Sequence, residues 1–328
     1  MKTILLFILI LLLNNNFFSQ ENMDKKLKDF FEKDSVTILI TDSGLGGLSI
    51  TSQVDELLRK YKTFRKVKII FFNAQPEDTI GYNGMKSREK KIEVFNNALE
   101  GMVKWFNPDI ILIACNTLSV LYDDTEFSKK SNIPPVVGIV DFGVEMIYSH
   151  LKRNKNSSAI IFGTETTINA NTHKKKLIEK GIKEERIITQ ACKGLPGAIE
   201  EGSESEKTKS LIEKYVDSAS NKLSQKNAMV YMGLCCTHFG YSKKVFLEKS
   251  KNLKNRKILD PNIKMSEFII NKKKSFHRID IDIEVYSRAY ISEKEIESIG
   301  GLIKKSSPKT ERALKNYKLK KDLFEFSL

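Results

Sequence analysis

The sequence predicts an α/β fold of two pseudo-symmetric domains with mostly parallel sheets covered by helices. Three observations carry that reading. Short segments rich in Ile and Val alternate with longer stretches of helical spacing. Some of these segments are apolar without interruption, as in Ile110-Ile111-Leu112-Ile113-Ala114, which suits a strand buried on both faces. Two of them, one in each half, run out into a cysteine beside hydrogen-bonding side chains: Cys115 before Asn116-Thr117 and Cys236 before Thr237-His238.

Residues 1–20 stand apart from the fold. Met1-Lys2 leads into an apolar run from Ile4 to Leu13 and then to Asn14-Asn15-Asn16-Phe17-Phe18-Ser19-Gln20, the layout of a secretory signal peptide and too short for a comfortable membrane span. Transient membrane targeting and export to the periplasm or cell envelope are expected. The alternatives are an uncleaved anchor, or a misplaced start that leaves the protein cytoplasmic.

Ser35 to Thr41 reads as the first strand, Asp42-Ser43-Gly44-Leu45-Gly46-Gly47 as a glycine-rich turn, and Leu48 to Tyr61 as a helix whose start can turn backbone amides toward an anion. Val67 to Phe72 is the next strand and Ser87 to Phe106 a long amphipathic helix, broken by Pro108 before the strand that ends at Cys115. Leu121 to Lys130 reads as helix or turn, and Val136 to Val140 as a strand after Pro134-Pro135. The cycle restarts with the strand Ser158 to Phe162, the loop Gly163-Thr164-Glu165-Thr166-Thr167 and a helix from Ile168 to Lys180. Arg186 to Gln190 is a strand, Thr208 to Ser218 a helix, and Ala228 to Gly233 the strand that presents Cys236.

A helix containing Val245 and Phe246 then leads through Ile258-Leu259-Asp260-Pro261 to Ile263–Ile270. The alternation of Ile279, Ile281, Ile283 and Val285 argues for one more strand, Ser292 to Ile299 for a short helix, and the Lys-rich end for an appended edge with a disordered tail. The expected boundaries are 35–137 plus 240–270 for the first domain, 138–239 for the second and 271–328 for a divergent C-terminal extension.

Net charge is +14, but the lysines are dispersed. Lys272-Lys273-Lys274 and Lys318, Lys320 and Lys321 lack the interleaved aromatics of a base-stacking groove, so no nucleic-acid partner is expected. The glycine-rich turn lacks the Gly-Lys-Ser/Thr ending of a phosphate-binding loop. No metal is expected, since the four histidines, Cys192 and Cys235 show no ligand spacing, and no cofactor, since nothing marks a pyridoxal site. Cys192 and Cys235 read as structural thiols; free thiols in an exported protein need burial or a reducing system.

A thiol on each face of one small substrate can take a proton from one side and deliver one to the other. A thiolate suits that work because a free cysteine has a pKa of about 8.5, which local donors can lower. Such a pair predicts an active site in the interdomain cleft.

The Asp-Ser-Gly-Leu-Gly-Gly run at Asp42, the Ala-Cys-Asn-Thr run at Cys115 and the Cys-Thr-His run at Cys236 together resemble glutamate racemases of the wider aspartate/glutamate racemase family, over roughly residues 36 to 262. The resemblance implies cofactor-independent racemisation at the interface of two similar domains, a small acidic amino acid as substrate, and a homodimer. It implies that Cys115 deprotonates the D-isomer and Cys236 the L-isomer, with Asp42 beside Cys115 and His238 beside Cys236. Ser43, Asn116, Thr117 and Thr237 would bind the ammonium and carboxylate groups, with Thr164, Thr166 and Thr167 as further carboxylate contacts. Asp42 as a helix cap, Asn116 as a turn former and His238 as a packed polar residue are the structural alternatives.

The sequence departs from the family at Phe72-Asn73-Ala74-Gln75-Pro76-Glu77-Asp78-Thr79-Ile80-Gly81-Tyr82-Asn83-Gly84. Glutamate racemases carry there a Gly-Asp-Thr stretch leading to Pro-Tyr-Gly. Here Tyr82 is retained as a substrate-contact candidate between Gly81 and Asn83, and Cys235 stands where the family has glycine. Glutamate is the expected substrate, with aspartate, another small-dicarboxylate isomerisation or a non-catalytic envelope binding protein as alternatives. The resemblance links a cytoplasmic protein to D-glutamate for cell-wall peptidoglycan, and an exported one to conversion of scavenged amino acids.

Overall fold

The computed structural model describes residues 21–224 and 228–327. The signal peptide expected over 1–20 lies outside the described residues.

After a helix over 21–32 (α1), the chain builds a six-stranded sheet, β1 (Ser35–Asp42), β2 (Lys66–Asn73), β3 (Ile110–Ile113), β4 (Val136–Gly138), β9 (Asp280–Ser287) and β10 (Lys318–Leu319), in the order β10-β9-β2-β1-β3-β4. A four-stranded sheet holds β5 (Ser158–Gly163), β6 (Ile187–Ala191), β7 (Val230–Cys235) and β8 (Arg256–Leu259) in the order β6-β5-β7-β8. Every pairing in both sheets is parallel.

Burial on both faces explains the unbroken apolar strands. In β1, Ile38 and Ile40 pack toward α2 (Leu48–Tyr61) and α11 (Pro261–Phe268), while Leu39 joins the opposite core with Phe95 and Met102 of α3 (Arg88–Phe106). The second sheet divides its core the same way, with Ile160 and Phe162 on one side and Ala159 and Ile161 on the other.

Strands β2-β1-β3-β4 and β6-β5-β7-β8 repeat one spatial order. In each set the order reverses about the first strand, between β1 and β3 and between β5 and β7. Ligands of open parallel sheets collect at such reversals, beyond the carboxyl ends of the strands. Asp42 and Cys115 lie at one reversal, Thr164 and Cys236 at the other.

Several expected boundaries are corrected. Arg256–Leu259, placed with the first domain from sequence, pairs with β7, because α10 (Lys243–Lys249) returns the chain to the second sheet. The first half resumes at α11, whose Met265 is buried in the core with residues of α2. Residues 271–328 are no appendage: β9 pairs with β2 along eight residues, covering what would be an open apolar edge. The tail expected to be disordered buries Leu323 and Phe324, and the Phe324 ring lies 5.9 Å from that of Phe72. The strand read as Val136 to Val140 stops at Gly138, and Ile139 opens α5 (Ile139–Arg153). The helix read from Ile168 to Lys180 is two, α6 (Glu165–Ala170) and α7 (Thr172–Glu179), separated by Asn171 at φ 59°. Between Cys115 and Lys130 the helix starts earlier than read, as α4 (Asn116–Tyr122).

Candidate active site

Asp42 is the last residue of β1 and is buried. Its Oδ1 accepts from the Ser43 backbone N–H at 2.6 Å and its Oδ2 from the Thr237 hydroxyl of the second half at 2.6 Å. Burial pushes its carboxyl pKa up, while His238 and Thr237 pull the other way. The turn that follows presses on the second half so closely that a Cβ on Gly46 would stand 2.4 Å from Thr237 Oγ1 and 2.6 Å from His238 Nδ1. Asn262 of α11 fixes the same contact by donating to the Thr237 carbonyl and to Ser49 Oγ, both at 3.0 Å.

Cys115 precedes α4, with its Sγ 3.1 Å from Ser43 Oγ. Burial, and then the negative charge of Asp42, push the Cys115 thiol well above the ordinary range. Cys115 is therefore a thiol at neutral pH.

The second half builds a different partner set. Cys236 lies just beyond β7, with Sγ 3.7 Å from His238 Nδ1, and His238 Nε2 lies 2.7 Å from Glu200 Oε1. The Leu45 backbone N–H also donates to Glu200 Oε1, at 2.9 Å, so a first-half amide steadies a second-half carboxylate. Burial alone favours a neutral ring, but the Glu200 carboxylate and Cys236 override it and hold the His238 pKa well above its ordinary value. Burial opposes the Glu200 charge too, yet His238 and the Leu45 amide keep the carboxyl below its usual range. The result is a Cys236–His238–Glu200 chain with a charged imidazole at its centre.

One cavity of about 470 Å³ is lined by both thiols, Asp42, His238 and Glu200. Cys115 is 5% and Cys236 6% exposed, so each reaches the cavity but little bulk water. Ser43, Asn116, Thr117, Thr237, Tyr82 and Thr164 line it as well. Both amide atoms of Asn116 and the Tyr82 hydroxyl are buried without a hydrogen-bond partner among the described residues. Native proteins rarely leave such groups unpaired, and their place on the cavity wall makes Asn116 and Tyr82 candidates for contact with a polar ligand or water. The hydroxyls of Thr117, Thr164 and Thr167 converge, with Thr117–Thr164 at 2.8 Å and Thr164–Thr167 at 3.0 Å. Thr164 also caps α6, accepting from the Thr167 backbone N–H.

Thr167 lies behind Thr164, outside the cavity lining. Thr166 also stands off the cavity wall, where its side chain engages Asn83 and Lys91. Cys192 is buried in the second core, donating to the Gln190 carbonyl at 3.6 Å, and Cys235 points into the opposite core layer. Among the described residues no group of His, Cys, Asp and Glu could hold a metal ion, and no helix is long and apolar enough to cross a membrane.

Sequence reasoning missed Glu200. It sits on α8 (Leu195–Glu201), a helix absent from the sequence reading. Pro196 in the first turn and Gly202 after the last are start and stop signals that could have found the helix. Nothing local separates Glu200 from Glu201.

No family profile matches the chain. Its sequence is 29% identical over 206 residues to the glutamate racemase of Aquifex pyrophilus, covering 62% of this chain and 72% of that one. The solved structure of the A. pyrophilus enzyme superposes with a TM-score of 0.57 at 25% identity, covering 81% of this chain and 94% of that chain. The glutamate racemase of Persephonella marina is 25% identical over 279 residues, 80% of this chain and 99% of its own length. The fold also matches glutamate racemase from Francisella tularensis in complex with D-glutamate, with a TM-score of 0.62 at 23% identity over 83% of this chain and 94% of that chain.

Proposed function

This chain belongs to the aspartate/glutamate racemase family, and from that premise we propose that it interconverts L- and D-glutamate without a cofactor, by two-base proton transfer between Cys115 and Cys236. The observation that carries this reading is that two thiols from opposite sheet reversals line one cavity, Cys115 beside Ser43 and Asp42 and Cys236 beside His238.

For the L-isomer, Cys236 as thiolate removes the α-proton while Cys115, a thiol in the resting site, delivers its proton to the opposite face. The turnover leaves a proton on Cys236 and a negative charge on Cys115, the state from which the D-isomer reacts in reverse. His238, kept protonated by Glu200, exchanges protons with Cys236, and Asp42 serves Cys115. The unpaired Asn116 amide and the Thr117 and Thr164 hydroxyls are suited to a carboxylate, and Asp42 and Ser43 to an ammonium, while Thr237 gives its one proton to Asp42. That ammonium would stabilise the charge left on Cys115. Glutamate is chosen on the relatives, and aspartate is kept because Gly81, Tyr82 and Asn83 form part of the cavity wall where the family carries Pro-Tyr-Gly. A signal-like 1–20 segment would place the reaction outside the cytoplasm, on scavenged amino acids, and an inactive one inside, supplying D-glutamate for peptidoglycan.

The test incubates reduced protein lacking residues 1–20 with L-glutamate and, separately, L-aspartate in deuterated water, following α-deuterium and chirality. D-Glutamate carrying solvent deuterium is expected, with racemisation about 100- to 10,000-fold slower in both Cys115→Ala and Cys236→Ala. Reaction of aspartate alone moves the substrate assignment. Exchange from neither acid overturns the reading in favour of a different substrate or a binding protein built on this fold.

A further inference from the structure

The loop over residues 74–84 is the wall of the cavity that departs from the family pattern, and it is tied down at both ends. At its front, Arg288 of the C-terminal segment pairs with Glu77 at 2.6 Å and also donates to the Pro76 carbonyl. Asp78 accepts from the Tyr290 backbone N–H at 2.7 Å and from Lys321 at 3.0 Å. These ties hold the loop to its own half. At its back the loop crosses the cleft. Asn83 Oδ1 accepts from the Thr166 hydroxyl at 2.8 Å and from the Thr166 backbone N–H at 3.3 Å. Lys91 Nζ of α3 donates to Thr166 Oγ1 at 2.8 Å. Thr166 sits in the first turn of α6, two residues after the cavity-lining Thr164.

We propose that Asn83, Thr166 and Lys91 form an interdomain latch that holds the 74–84 loop against α6 and sets how far the cleft opens. The Thr166 hydroxyl can make both bonds at once: its one proton goes to Asn83 and a lone pair takes the Lys91 ammonium. A glycine at position 83 could make neither side-chain bond, so the latch is a property of this chain's own departure. Thr166 is accordingly a positioning residue, joined to the substrate cavity only through the loop and the helix it connects. All three bonds join the first half to one residue of the second, so opening the cleft at this edge breaks them together.

The structural part of the proposal stands on these contacts, and its kinetic part rests on the racemase reading. Amide hydrogen exchange in the substrate-free protein lacking residues 1–20 tests the first. Asn83→Ala and Thr166→Val should each speed exchange over residues 79–84 about fivefold or more, with the Thr166 amide also faster in Asn83→Ala. The double variant should have less effect than the sum of the two, because both single variants remove the Thr166 hydroxyl–Asn83 bond, and Thr166→Ser, which keeps the hydroxyl, should match the parent. Unchanged exchange in either single variant, or additive effects, overturns the latch. Steady-state kinetics on whichever acid is racemised tests the second part: KM for both enantiomers should rise about fivefold, with kcat within about twofold. Faster exchange with unmoved KM overturns control of the cleft. Faster exchange in a protein that racemises nothing leaves the latch standing and sinks the racemase reading.

Discussion

Cys115, Cys236, Asp42 and His238 were singled out in the sequence by their strand-end positions and by the resemblance to glutamate racemases, and the structure brings the four to one cavity. Glu200 was not singled out, since its role exists only where the turn after β1 brings the Leu45 amide and His238 onto one oxygen. Glu200→Gln should release the His238 pKa downward. The alkaline limb of kcat/KM for the L-isomer then moves to lower pH, with less effect on the D-isomer, and pH–rate profiles for both enantiomers check it. Stability should follow the same pair. The raised His238 pKa contributes stability that is full below about pH 6.5, its unfolded value, and is lost as pH rises through the folded value. The lowered Glu200 pKa contributes above about pH 4.3 and is lost as pH falls through its own folded value. The gap in melting temperature between parent and Glu200→Gln should therefore be widest between about pH 4.3 and 6.5 and narrow toward alkaline pH. An equal gap at every pH would leave the pair without that role.

Among elements, the strands buried on both faces were readable because continuous apolarity has few other uses in short segments. Helix α8 was not, because its seven residues hold only three buried ones, Leu195, Ala198 and Ile199, and show too little periodicity. The split at Asn171 was missed because the left-handed turn costs an asparagine little. Strand β8 was not read as a strand, and its residues were assigned to the first domain, since pairing partners are decided by the return of a helix rather than by composition. Helix α3 supplies a test of how firmly the C-terminal tail is seated. A Cβ on Gly101 would stand 2.2 Å from the Leu323 carbonyl oxygen, a backbone atom. Alanine gains about 0.5–1 kcal/mol of helix stability over glycine, but overpacking costs typically about 1–3 kcal/mol. Gly101→Ala should thus lower the melting temperature, and a melt at or above that of the parent would show that the tail gives way.

Across the whole molecule, the repeated strand order makes two halves of one plan, and the sequence showed that plan through its matched cysteine ends. The C-terminal segment was misread because the alternation of β9 announces a strand but not its neighbour. A chain ending at residue 270 loses β9, Leu323 and Phe324, and so opens both the β2 edge and the core around Phe72. It should be recovered in aggregates without a cooperative unfolding transition, and a soluble, sharply melting product would contradict that. The interruption of the first half by the second also has a consequence for biosynthesis. On the ribosome the second sheet has all its strands once residue 259 has emerged, whereas the first, begun earlier, waits for β9 at residues 280–287. The younger half can finish before the older, and until it does so a nascent chain carries an unpaired parallel edge of the kind that chaperones must shield.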